Sequence, residues 1–165
     1  LQDIKKSGRA EKVGVSVYSP VELQEILQMA RSDIVQLPFS IVDQRFIKSG
    51  HLARLEEMGT EIQARSIFLQ GILLAETCDL PAHFKSGAVE LSKIDRAISD
   101  AGRLRACLGF VAQRAEIDAA VVGVTTVQEL RQILEATSDG RDLEIDYADL
   151  AIDDTGIIDP RTWRI

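Results

Sequence analysis

Apolar and polar positions alternate along this chain between two periods, one of strands and one of helices. Glu11-Lys12-Val13-Gly14-Val15-Ser16-Val17 reads as a buried strand. Ser19 then caps a helix, Pro20 takes its first turn, and Glu22 stands three residues after the cap. Leu23, Ile26 and Leu27 fall at i, i+3 and i+4 and give that helix one apolar face. Asp33 to Phe39 is a second strand, ended by Pro38, which has no N–H for a ladder. Leu52, Leu55 and Met58 form the next helix face, stopped by Gly59. Glu61 to Phe68 is a third strand and its exit.

A long connection follows. It holds Gly71, the apolar Ile72-Leu73-Leu74, a loop at Asp79-Leu80-Pro81, and two helical stretches near 88–101 and 104–115. Asp118 to Val122 reads as a fourth strand, and a helix runs from Val127 to about Ala136. An acidic tail from Ser138 has a short helix near 143–150. Before all of this, Leu1 to Lys6 is polar and helical in character. The chain opens on Leu1 rather than Met and is expected to be a piece of a longer one.

One repeat stands out. Val13-Gly14-Val15-Ser16, followed by Ser19-Pro20-Val21-Glu22-Leu23, is echoed by Val122-Gly123-Val124-Thr125, followed by Thr126-Val127-Gln128-Glu129-Leu130. Each copy reads as an apolar strand, a hydroxyl-bearing turn and a helix with a capping box. Alternating βα units predict a parallel sheet with right-handed crossovers. Four strands fit either a small doubly wound sheet or half of a (β/α)₈ barrel. Such a half cannot close by itself. In both cases, loops at the strand ends are where ligands bind.

Composition narrows the function classes. The chain has 165 residues, enough for a single domain over 1–165, and a net charge of −7. An acidic chain is a poor partner for nucleic acid. No apolar run approaches the roughly 18 residues of a membrane span, and the start does not resemble a signal peptide. Cys78 and Cys107 stand in no motif and read as one loop thiol and one buried thiol, so a cytoplasmic location is expected. His51 and His83 have no second ligand at metal spacing, and no metal site is expected. The acidic residues from Asp142 to Asp154 read as a solvated face.

The strand-end segments carry a resemblance. They are Lys12-Val13-Gly14-Val15-Ser16-Val17-Tyr18-Ser19, Asp33 to Phe39 with Asp43-Gln44-Arg45, Glu61 to Gly71, and Val122 to Thr126. Together, and in this order, they resemble the C-terminal half of an aldo-keto reductase, over about residues 8–137. The nearest likeness is to the bacterial branch related to aryl-alcohol dehydrogenases. The resemblance implies an α/β fold whose parallel βα repeats are strands five to eight of the TIM barrel. It implies an oxidoreductase that uses NADP or NAD to interconvert a small-molecule carbonyl and an alcohol.

It also implies roles for single residues. Ser16 and Gln36 would hold the nicotinamide carboxamide, and a glutamine amide can both donate and accept. The asparagine that often follows the serine is Val17 here. Arg65 stands where an aromatic residue often stacks on the nicotinamide ring. Ser66, Phe68 and Gly71 lie in the loop implied to contact the pyrophosphate. Gly123, Val124, Thr125 and Thr126 lie in the loop implied to meet the adenosine ribose. Gly123 replaces a lysine, and Glu129 a basic position, common in NADP-preferring members; both point away from strict NADP dependence.

The family's catalytic Asp, Tyr, Lys and His would precede Leu1. Tyr18 and Tyr147 have no such company, so the chain alone is expected to be inactive, with no catalytic residue of its own. Its expected partner is a second copy or the preceding half of the barrel. An alternative is a non-catalytic half-barrel that binds a nucleotide or dimerises. Ser16 without the resemblance is an ordinary strand-end hydroxyl.

Overall fold

The computed structural model describes residues 1–75, 80, 84, 88–98 and 101–163. The expectations for Cys78, Asp79, Pro81 and His83 lie outside these residues. Four strands form one sheet in the order β1-β2-β3-β4: Gly14–Ser16, Ile34–Pro38, Glu61–Arg65 and Ala119–Ala120. Every neighbouring pair is parallel. The helices are α1 (Gln2–Lys6), α2 (Pro20–Met29), α3 (Arg45–Lys48), α4 (His51–Glu57), α5 (Ala88–Ile98), α6 (Arg103–Ala112), α7 (Val127–Gly140) and α8 (Thr155–Ile158).

Strand order and burial decide between the two architectures left open by the pattern. A doubly wound sheet reverses its strand order and carries helices on both faces. Here the order is sequential, and among the described residues the helices pack on one face. Val35, Leu37, Ile62 and Ala64 are fully buried in a core shared with Leu23 of α2, Leu52 and Leu55 of α4, Leu91 of α5 and Phe110 of α6. Their alternates Ile34, Gln36, Glu61, Gln63 and Arg65 stay half-exposed on the other face. Helices outside and an open inner face are the arrangement of part of a TIM barrel.

The inner face is polar. In register, Ser16 neighbours Gln36, and Gln36 neighbours Gln63. Gln36 Nε2 donates to Gln63 Oε1 at 3.3 Å, and Gln63 Nε2 donates to Glu61 Oε1 at 2.9 Å. Lys12 Nζ closes the file on Glu61 Oε2 at 2.5 Å. That ammonium and the Gln63 amide hold the Glu61 carboxyl below the usual range.

Two close approaches fix the layers. Gly14 lies against β2, where a Cβ would come within 2.8 Å of the Ile34 Cβ. Gly109 of α6 lies against Gly140, the last residue of α7, with backbone touching backbone. The core also takes in the tail. Phe110 stacks on Phe39 at 4.9 Å and meets Tyr147 at 5.0 Å. The Tyr147 hydroxyl donates to the Ala106 carbonyl at 3.2 Å, and Gln44 Nε2 donates to the Tyr147 carbonyl at 2.6 Å. Burial pushes the Tyr147 phenol up to about 12, and it faces the core rather than the open side of the sheet. Cys107 is buried and free, as expected, and burial pushes its thiol up to about 12.

Three expectations need correction. The fourth strand is Ala119–Ala120 only; Val122 and the segment through Thr125 lie outside it. With β3 on one side and no strand on the other among the described residues, β4 pairs at two positions, and two further bonds join Asp118 N–H to the Ile62 carbonyl at 3.0 Å and Val121 N–H to the Ala64 carbonyl at 2.7 Å. The helix near 143–150 is a single 3-10 turn, Ala148–Leu150. In both echoed units the glutamate reaches one residue further back than a capping box requires. Glu22 accepts from Tyr18 N–H at 2.6 Å and Glu129 from Thr125 N–H at 2.7 Å, while Ser19 and Thr126 cap the N–H groups of Glu22 and Glu129.

Both open edges carry uncovered apolar side chains. Val121, Val124, Val127, Leu130 and Leu134 are exposed beside β4, and Leu1, Val21 and Met29 on the β1 side. Among the described residues no helix is long and apolar enough to cross a membrane.

Candidate functional site

The carboxyl ends of the four strands surround an open cavity of about 540 Å³. Each strand sends residues to it because side chains alternate along a strand, so Ser16 and Tyr18 share a side, as do Gln36 and its register partners. Ser16 and Tyr18 come from the end of β1, Gln36 from β2, and Arg65 from β3. Ser66, Ile67, Phe68, Gln70 and Gly71 come from the loop after β3, and Val121, Val122 and Gly123 from the segment after β4.

The β3 loop is bent sharply. Ser66, Leu69 and Gln70 hold φ of 59°, 45° and 55°, and Gly71 follows at 88°. Left-handed backbone at a non-glycine costs on the order of 1 kcal/mol, and such residues gather at ligand sites. Buried Ile67, Leu69, Ile72 and Leu73 anchor the loop and hold it in this form.

Arg65 is fixed within the cavity wall. Its Nη2 donates to the Val17 carbonyl at 3.0 Å and its Nη1 to Ser66 Oγ at 3.2 Å. Its Cζ lies 4.1 Å from the centre of the Tyr18 ring. A second guanidinium, of Arg161 in the tail, lies 3.9 Å from the same ring centre. Arg161 is paired with Asp159 at 2.7 Å and with Glu22 at 3.0 Å. Arg65 has no ion pair among the described residues.

Seven of the residues singled out in the sequence meet here: Ser16, Gln36, Arg65, Ser66, Phe68, Gly71 and Gly123. Val124, Thr125 and Thr126 do not line the cavity. Thr125 and Thr126 are engaged with Glu129 at the start of α7, and those contacts hold the Glu129 carboxyl below its usual range. Tyr18 was not singled out as a site residue, although its spacing from Ser16 puts both on one side of the chain. Ile67 and Gln70 fall inside the Ser66 to Gly71 loop and Val122 inside the segment after the fourth strand, while Val121 was not singled out. Arg161 has a local partner in Asp159, but its contact with Glu22, 139 residues away, gave no local signal.

The sequence model of the Aldo/keto reductase family matches residues 1–147. The chain belongs to the aldo/keto reductase family. Among solved structures it resembles the aldo-keto reductase AKR11C1 from Bacillus halodurans, in holo form, with a TM-score of 0.69 at 17% identity over 82% of this chain and 47% of that one. The apo form of the same enzyme gives 0.69 at 17% over 82% and 48%. A thermostable aldo-keto reductase, Tm1743, in complex with the inhibitor epalrestat, gives 0.58 at 18% over 90% and 49%. At these identities the likeness is one of fold. No curated protein matches the chain significantly. The chain spans about half the length of the solved reductases it matches.

The cavity carries a hydroxyl and an amide oxygen with unused hydrogen-bonding capacity. Among the described residues, neither Ser16 Oγ nor Gln36 Oε1 makes a hydrogen bond, and both border the cavity. A carboxamide needs one donor and one acceptor, and these side chains offer both. No group of three or more His, Cys, Asp or Glu suited to a metal occurs among the described residues.

The tail contact gives a pH dependence. Arg161 beside Asp159 holds that carboxyl below its usual range, and the Tyr18 N–H and Arg161 do the same for Glu22. A carboxyl with a lowered folded pKa stabilises above its unfolded value, about 4, and that stability is lost as pH falls through the folded value. The single tryptophan, Trp163, packs edge-on to Phe84 at 4.6 Å and reports on the tail. Its fluorescence is expected to hold steady from pH 7 to about 4 and to shift to longer wavelength below that. In Asp159→Asn the shift is expected at neutral pH. An unchanged spectrum in the variant contradicts the contact.

Proposed function

We propose that this chain, as one domain over 1–165, is the C-terminal half of an aldo/keto reductase barrel and supplies its NADP- or NAD-binding side. The carrying observation is the cavity itself: ends of all four strands converge on it, with two polar atoms suited to a carboxamide. Ser16 and Gln36 orient the amide, Arg65 lies against the ring, and the backbone of Ser66 to Gly71 approaches the pyrophosphate. A bound nicotinamide supplies the hydride that interconverts a carbonyl and an alcohol. The protein's part is to orient the ring and keep its face toward the substrate.

Acid–base groups come from elsewhere. Among the described residues lining the cavity there is no Lys, His, Asp or Glu, and Tyr18 is stacked between contacts to two arginines. The four preceding βα units would bring the family's proton donor and would cover Val121, Val124, Val127, Leu130 and Leu134. The same uncovered edge favours a second reading, a half-barrel that pairs with a copy of itself and binds nucleotide without turnover.

Titrating the intact protein with NADPH and NADH, followed by the rise in cofactor fluorescence, tests the proposal. Saturable binding of at least one is expected. Binding with reductase turnover on a small aldehyde supports the enzyme; binding without it, in a dimer, supports the second reading. No binding of either nucleotide overturns both.

A further inference from the structure

Arg65 is the one charged residue among the described residues that line the cavity. Its position is over-determined: two hydrogen bonds, to Val17 O and Ser66 Oγ, and a stacked ring, that of Tyr18. None of these partners is an anion. The neighbouring Arg161 differs, because Asp159 and Glu22 neutralise it. Among the described residues, the cavity wall therefore holds one fixed positive charge without a counter-charge. Its guanidinium cannot swing to solvent without giving up all three contacts.

We propose that Arg65 makes this site discriminate between the two redox states of the nicotinamide, favouring the neutral reduced ring over the cationic oxidised ring. The inference rests on the reading that the ring lies in this cavity. The two forms of one nucleotide share every adenosine and phosphate group; they differ by the ring's charge and the hydride it carries. A contact to the phosphates cancels in the ratio of their dissociation constants, whereas a charge beside the ring does not. An oxidised ring would face a like charge at contact range, and half-exposure and salt reduce but do not remove that repulsion. The expected preference for the reduced form is about tenfold from this group. An aromatic residue at the same place would present a negative face and attract the oxidised ring. With Arg65 the site loads with the hydride donor, releases the oxidised form readily, and raises the midpoint potential of the bound couple.

The test compares dissociation constants of NADPH with NADP⁺, and of NADH with NAD⁺, by calorimetry on the intact protein. Three proteins are used: the natural one, Arg65→Lys and Arg65→Met. The oxidised-to-reduced ratio is expected to be high in the natural protein, to persist in Arg65→Lys, and to fall about tenfold in Arg65→Met. If Arg65→Met fails to fold, the natural protein alone decides: the ratio is expected to shrink as salt rises from about 0.05 M to about 1 M. Nucleotides that bind with the same ratio in all three proteins, or at both salt concentrations, overturn this inference and leave the cofactor site standing. Failure of all four nucleotides to bind the natural protein overturns the site and the inference together.

Discussion

Replacing Gly109 by alanine is expected to lower the stability of the protein by about 3 kcal/mol, the upper range for overpacking a filled interior. Gly109 sits mid-helix in α6, where alanine is otherwise the better helix former by about 1 kcal/mol. The sign of the change is therefore set by packing, against intrinsic propensity. A Cβ there would overlap the Gly140 carbonyl oxygen and stand 2.9 Å from its carbonyl carbon. The obstacle is backbone, so no side-chain rotation relieves it. A Cβ on Gly140 would in turn meet the Arg105 carbonyl oxygen at 2.7 Å. To separate, α7 must move away from α6 and take the segment after β4 with it. Urea unfolding of Gly109→Ala measures the loss. Gly123→Ala is the control, since a Cβ at Gly123 meets nothing within 4 Å and its expected change is within about 0.5 kcal/mol.

The second large effect is on binding. Gln36→Ala is expected to weaken NADPH or NADH about 30-fold with little change in stability. Two hydrogen bonds to a ligand amide at about 1 kcal/mol each account for that factor. The fold does not depend on the same amide, because its one hydrogen bond, to Gln63, is 3.3 Å long and half-exposed. Gln36→Glu is the sharper variant. It keeps the size and an acceptor but removes the donor, and is expected to bind nearly as poorly. Binding unchanged in both variants would place the carboxamide elsewhere.

Much of this arrangement was legible in the sequence where one residue type has one local use. Ser19-Pro20 fixes the start of α2, Pro38 ends β2 and Gly59 ends α4. Gln36 in an apolar strand marked itself as a polar group in need of a partner. The inner face was less legible. Glu61, Gln63 and Arg65 alternate with Ile62 and Ala64, yet the purpose of a polar face depends on what it meets across the barrel. β4 was overestimated because its valines read as strand, although pairing is decided by neighbouring backbone rather than by side-chain type. The contact of Arg161 with Tyr18 and Glu22 joins the two ends of the chain and has no periodicity. Thr125 and Thr126 were assigned to the ribose from the resemblance, while locally they build the start of α7.

Amide chemical shifts of the intact, ¹⁵N-labelled protein during titration with NADPH test the placement of the cofactor most directly. The account predicts saturable shifts concentrated at Ser16, Tyr18, Gln36, Arg65 to Gly71 and Gly123, at the carboxyl ends of the strands. Shifts confined to other surfaces, or no shifts at saturating nucleotide, would contradict it.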